Sequence, residues 1–186
     1  MAVQKQPTIS PLDIVVLLRI AMSNEQELSQ NLLAGELQLS QSEISKSLKR
    51  SRYAGLLIGN YQVMKQPLMD FIQYGIKYAF PQQPGAVVRG VPTAHSMSPL
   101  SDEIQSSENY VWPYARGTMR GQAITPLYPG AVKAALMNDR LHVQLSLIDA
   151  IRVGRTRERQ LAIQILRKQL LNEEYTDQST GYYTGS

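Results

Sequence analysis

Apolar positions along this chain change their spacing several times, and each change marks an element. Ser10-Pro11-Leu12-Asp13 opens the first helix: serine as N-cap, proline at the first helical position, aspartate near the positive dipole end. From there to about Asn24, Leu12, Ile14, Val15, Val16, Leu17, Leu18, Ile20 and Met22 leave almost no polar face. A helix of this kind needs cover on several sides, either from the C-terminal half of the same chain or from a second subunit. A short helix over Gln30 to Leu37 comes next, with Ser29 as its cap and Leu28 and Leu33 placed as a hydrophobic staple. Leu33, Ala34 and Leu37 face inward, and Gly35 permits close helix contact. Gln38 and Leu39 leave a tight connection to Ser40, which with Glu43 forms a capping box for the next helix.

That helix is one-sided. Ile44 and Leu48 are four apart and share its buried face, with small Ser47 and Ser51 beside them. Gln41, Ser42, Ser45, Lys46, Lys49 and Arg52 form the opposite stripe. Ala54-Gly55 ends it. Leu56-Leu57-Ile58 and Tyr61-Gln62-Val63 then flank Gly59-Asn60, which predicts a hairpin with a two-residue type II′ turn. Lys65 to Phe80 reads as a further helix, with Leu68, Phe71, Ile72 and Ala79 on one stripe and Met69 and Ile76 beside it; Pro81 stops it.

Regular periodicity is then lost. Seven of the ten prolines lie between Pro81 and Pro129. Ala86-Val87-Val88, Tyr110-Val111-Trp112-Pro113-Tyr114 and Ile124-Thr125-Pro126-Leu127-Tyr128 bring in branched and aromatic residues, which disordered linkers lack. The expectation is an irregular but packed segment with short extended pieces, mobile from Ser96 to Asn109, and with a turn at Arg116-Gly117-Thr118-Met119-Arg120-Gly121. Helical spacing returns over Pro129 to Met137. It continues from an Asn138 or Asp139 cap to Val153, with Leu141, Leu145, Ile148 and Ile151 as its stripe and Leu147 widening it. Gly154 breaks the chain, and a last helix runs to about Asn172 on Ala162, Ile165, Leu166 and Leu170. Thr176 to Ser186 reads as an unstructured tail, and residues 1–9 as frayed.

The polar stripe at 41–52 has hydrogen-bonding groups toward its N-terminus and cations toward its C-terminus. A recognition helix in a DNA major groove needs that order, because its first turn meets base edges and its later charges meet phosphates. A solvated amphipathic helix shows the same stripe, so the flanking elements matter. The run Leu33-Ala34…Leu37…Leu39-Ser40…Glu43-Ile44-Ser45…Leu48-Lys49-Arg50…Ala54-Gly55-Leu56-Leu57 resembles the winged helix-turn-helix of bacterial and archaeal regulators, the MarR-like and ArsR-like groups among them, over roughly residues 10–80. The resemblance implies DNA binding. Two departures stand out: Ser51 occupies a usually apolar position, and the hairpin tip carries no Arg or Lys for a minor-groove contact.

Charge and chemistry add limits. A net charge of +4 permits nucleic-acid binding without requiring it. With no cysteine, disulfides, thiolate zinc sites and cysteine nucleophiles are excluded. No signal-peptide pattern or membrane-length apolar run is present, which gives the expectation of a soluble, cytoplasmic protein without a membrane partner. His95 and His142 sit in no metal-ligand spacing. Ser96 and Ser98 near His95 lack a nucleophile elbow, and there is no Walker pattern, so no enzyme and no cofactor are expected. Arg152, Arg155, Arg157 and Arg159 form a cluster suited to an anion or a carboxylate-rich partner, or to a solvated face in which Arg152 pairs with Asp149.

The sequence thus predicts a mainly α protein: a winged helix-turn-helix over 10–80, an irregular packed connection over 81–129, a helical dimerisation or partner region over 130–175 and a flexible tail over 176–186. The leading functional expectation is a sequence-specific DNA-binding transcriptional regulator, such as a repressor, acting as a homodimer on double-stranded DNA. Gln41, Ser42, Ser45 and Lys46 would lie at base edges, with Lys49, Arg50 and Arg52 on phosphates; Ser40, at the helix cap, completes the DNA-binding set. A second reading is a protein-interaction module, such as an antitoxin or adaptor, gripping a partner through the C-terminal half. A third is a small-molecule sensor with a pocket near Trp112 and Tyr114.

Overall fold

The computed structural model describes residues 6–172; the tail expected at 176–186 and the first five residues lie outside that range. Helix α1 (Pro11–Ala21) starts as expected, with the Asp13 carboxylate accepting from the Ser10 backbone N–H at 2.8 Å. It ends three residues early. Asn24 instead caps a 3₁₀ turn over Glu25–Glu27. Helix α2 (Gln30–Leu37) is capped by Ser29, whose hydroxyl accepts from Leu32 N–H at 3.1 Å. Gln38 takes a left-handed conformation (φ 56°), and Leu39 N–H returns to Ala34 O, so the chain turns within two residues into α3 (Gln41–Tyr53). At Ser40 and Glu43 both arms of the capping box form, at 3.2 and 2.8 Å.

Gly55 (φ +76°) redirects the chain into β1 (Leu57–Ile58), which pairs antiparallel with β2 (Gln62–Val63). Ile58 pairs with Gln62, so three residues, Gly59 to Tyr61, make the connection. The two-residue turn is therefore corrected: Tyr61 belongs to the loop. The helix expected at 65–80 is continuous but uneven, with α4 (Lys65–Asp70), a π-helical stretch over Phe71–Gly75, and α5 (Ile76–Ala79). The Phe71 ring lies against Gly75, where a Cβ would come within 3.0 Å of it. The wide turn rotates the residues beyond it about the helix axis. Leu68, Met69, Ile72 and Ile76 become the buried set, and Ala79 is exposed.

The segment at 81–129 is more regular than its composition suggests. Strand β3 (Val87–Pro92) pairs antiparallel with β5 (Met119–Ala123) through its first half and with β4 (Tyr110–Pro113) through its second. Strands β4 and β5 pair in parallel, so the three close on one another. Two glycines permit the crossing: a Cβ at Gly121 would lie 2.6 Å from Asn109 O, and one at Gly90 would overlap Trp112 O. The turn expected at 116–121 is corrected, because Met119, Arg120 and Gly121 are strand. Ile124 to Tyr128 is not a strand, yet Ile124, Leu127 and Tyr128 are buried. Between β3 and β4 lie a 3₁₀ turn (Ala94–Ser96) and the short α6 (Leu100–Glu103).

Three helices finish the described chain: α7 (Ala131–Met137), α8 (Asp139–Val153) and α9 (Thr156–Leu171). Asn138 caps α8 through Leu141 N–H at 3.0 Å. In α9, Ile163 joins Ala162, Leu166 and Leu170 in the core, and Ile165 is only half-buried. Ile14 to Leu18 are 0 % exposed in the single chain, because α1 is packed by α2, α3, α4, β2 and α8. The cover that α1 requires is intramolecular, and no second subunit is needed to supply it.

Candidate nucleic-acid interface

Helix α3 packs on α1 and α2 and buries Ile44, Ser47, Leu48 and Ser51; small side chains at 47 and 51 suit close helix packing. That fixes the rotation of α3. Ser40, Gln41, Ser42, Ser45, Lys46, Lys49 and Arg52 all fall on exposed positions, with nothing from the C-terminal half over them. Hydrogen bonds from Ser40 hold the Glu43 carboxyl below its ordinary range, which keeps an anion at the positive end of the helix. From residue 44 to 69 there is no Asp or Glu, while Lys46, Lys49, Arg50, Arg52 and Lys65 all fall in this stretch.

Two arginines of this group are held by partners within the fold, and for Arg50 the expected phosphate contact is corrected. Arg50 is tied inward. Its Nε and Nη2 donate to the fully buried Asp13 carboxylate at 2.8 and 2.6 Å, and Nη2 also reaches Ser10 Oγ. It locks α3 to the start of α1, which raises its own pKa, and it does not share the exposed stripe. Arg52 turns the other way: its Nε donates to Gly59 O at 2.7 Å. The hairpin tip has no cation of its own, but the fold brings one to it. Lys65, exposed just after β2, is a further cation that the periodicity of α3 does not reveal. Its only signal in the sequence is its place directly after the second strand.

The arginine cluster at 152–159 does not form one surface. Arg152 is buried; its Nη1 donates to Asp149 at 2.9 Å and its Nε to Phe80 O at 3.0 Å, at the end of α5. Arg155 and Arg157 are exposed, and Arg159 is half-buried. The expectation of four arginines at one anion or partner site is corrected for Arg152. Asp149 is the hub of this interior. Thr93 Oγ1 and Trp112 Nε1 both donate to its Oδ2 at 2.7 Å. Burial pushes the Asp149 carboxyl up from its ordinary range, against the pull of Arg152 and these donors. Trp112 is 1 % exposed and packs beside His142, so a ligand pocket at its ring is not open. Both histidines are buried and donate through Nε2–H, His95 to Glu108 O at 2.7 Å and His142 to Pro92 O at 2.8 Å, while His95 Nδ1 lies 3.8 Å from Glu158 Oε2 with no hydrogen-bond partner.

A clasp links the two halves. Tyr128 O–H donates to Leu37 O at 2.8 Å, at the α2–α3 connection, and burial pushes the phenol well above its usual range. A cleft of about 320 Å³ lies beside this clasp, lined by Leu12, Leu39, Glu43 and Leu127 among others. Among the described residues no cluster of His, Asp or Glu could hold a metal ion, and no helix is long and apolar enough to cross a membrane. Comparison with protein-family models, curated proteins and solved structures finds no match to this chain.

Proposed function

We propose that the protein is a sequence-specific DNA-binding transcriptional regulator of winged helix-turn-helix type, with α3 as recognition helix and the β1–β2 hairpin as wing. The observation that carries the reading is the exposed face of α3. It runs from neutral hydrogen-bonding groups (Ser40, Gln41, Ser42, Ser45) through Lys46 to Lys49 and Arg52, and no carboxylate comes after Glu43 on the helix or the hairpin. Amide and hydroxyl groups in the first turn suit base edges, and the cations suit phosphates on either side of the groove. Arg52, held against Gly59 O, supplies the cation at the wing, and Lys65 adds another. Arg50 serves the fold and not the duplex.

Duplexes selected from a random pool by the purified chain test the reading. Changing Lys46 and Lys49 together to alanine should weaken binding to every duplex and lower the salt slope by about two. Retention of selected duplexes at wild-type affinity by that variant would end the assignment. A homodimer belongs to the same proposal, because paired recognition helices read half-sites about one helical turn, roughly 34 Å, apart. A selected site with no repeat, bound by one chain, would remove the dimer and leave the reader.

A further inference from the structure

Strands β3 and β5 place Arg89 directly opposite Arg120. In an antiparallel pair such residues project from the same face, with Cβ atoms about 5 Å apart. The next pair on that face is Val87 and Gln122. Arg116 precedes Gly117, whose backbone packs against Gly90, next to Arg89. All three arginines are exposed. Among the described residues none of the three guanidiniums has a hydrogen-bond or ion-pair partner. No Asp or Glu occurs at 71–101 or at 109–138, so none of the three strands carries an acid. Arg50 and Arg152 each have a carboxylate waiting inside the fold; these three have none.

Like charges directly opposite on neighbouring strands destabilise a sheet. The free protein therefore carries a repulsion that a bound anion relieves. We propose that Arg89, Arg116 and Arg120 form a second phosphate-binding surface, on which the backbone of a nucleic acid docks. Guanidinium forks take two phosphate oxygens each, and neighbouring exposed forks suit successive phosphates of one strand. Apart from the half-buried Gln122, the two strand pairs on this face offer no further side chain for a base edge, so the contact adds affinity and not sequence preference. The inference rests on the nucleic-acid reading of α3, but the surface lies in the C-terminal half and shares no element with α3. Each can be removed while the other stands.

The test uses the full chain and a fluorescein-labelled mixed-sequence duplex, titrated at several salt concentrations between about 50 and 200 mM. The charge-removing variant R89Q/R116Q/R120Q should bind about tenfold more weakly or worse, with a salt slope lower by about two to three and a thermal midpoint at or above that of wild type, since the Arg89–Arg120 repulsion is gone. The variant R89K/R116K/R120K, which keeps the charge, should recover most of the slope. The α3 variant K46A/K49A should keep the part of the slope that belongs to the sheet. If R89Q/R116Q/R120Q matches wild type while K46A/K49A loses binding, the sheet surface is overturned and the α3 reading survives. If the wild-type chain binds no duplex, both fall. Capture of labelled poly-glutamate in preference to the duplex, lost in the triple variant, makes the occupant an acidic protein and also overturns the proposal.

Discussion

Helices α3 and α8 look alike in outline and end in opposite circumstances. Each begins at a polar cap, Ser40 or Asn138, and each carries an apolar stripe spaced by three and four. Each also has a polar side with an arginine near its C-terminal end. In α3 most of that side stays in water. In α8 it is buried with the apolar one: His142, Gln144, Ser146, Asp149 and Arg152 are all under 9 % exposed. The difference lies in what the rest of the chain brings. The closed sheet delivers the Trp112 N–H to Asp149, Thr93 just past β3 delivers its O–H, and the end of α5 delivers the Phe80 carbonyl to Arg152. Nothing comparable reaches Lys46 or Lys49. A polar helix face is buried where partners are supplied and left free where they are not.

The contrast breaks most directly at Asp149. Asp149→Ala leaves the Arg152 guanidinium, the Trp112 N–H and the Thr93 hydroxyl without their acceptor in a dry interior. The expected cost is about 3–5 kcal/mol, read as a drop in urea midpoint with unchanged slope. A loss below about 1 kcal/mol would show that water reaches these groups and that α8 is no more buried in effect than α3.

Within α3 itself, neighbouring cations sharpen the point. Arg50→Ala should cost about 2 kcal/mol, because the Asp13 carboxylate, 0 % exposed, loses both of its charged hydrogen bonds. Lys49→Ala, one residue earlier, should stay within about 0.5 kcal/mol of wild type. Equal losses in thermal melts of the two variants would sink the division between a structural and a solvent-facing cation.

The smallest effect concerns the seam between the halves. Tyr128 keeps its proton in the folded protein at pH values where the unfolded chain gives it up. Stability is therefore whole below about pH 10 and falls as the pH rises past it, by at most about 1.4 kcal/mol per pH unit. Urea titrations across that range should show the slope, and Tyr128→Phe should flatten it. A slope that persists in the phenylalanine variant would assign it to another group.

Much of the N-terminal half was legible from local signals. Caps, period and glycines at Ser29, Ser40 and Gly55 set α2, α3 and the hairpin almost to the residue, since each acts within four positions of itself. The register of the hairpin was not legible, because Gly59-Asn60 is compatible with loops of two or three residues. The closed sheet was legible only as apolar pieces. Its strands are short, its pairings join residues from twelve (Tyr110 with Gln122) to thirty-five (Val87 with Gln122) apart, and Gly90, Gly117 and Gly121 look like turn residues until the crossing that needs them is known. For the site, the exposed stripe of α3 came from spacing alone, whereas the fates of Arg50, Arg52 and Arg152 did not.

By itself, the sequence determined where helices start and stop, and which side of α2 and α3 faces inward, because capping and periodicity are short-range. Tertiary structure alone decided which charges are paired inside and which remain in solvent. A cation's environment is set by whatever carboxylate or carbonyl the fold carries to it. Asp13 reaches Arg50 across thirty-seven positions, and Phe80 reaches Arg152 across seventy-two, separations over which no local pattern extends.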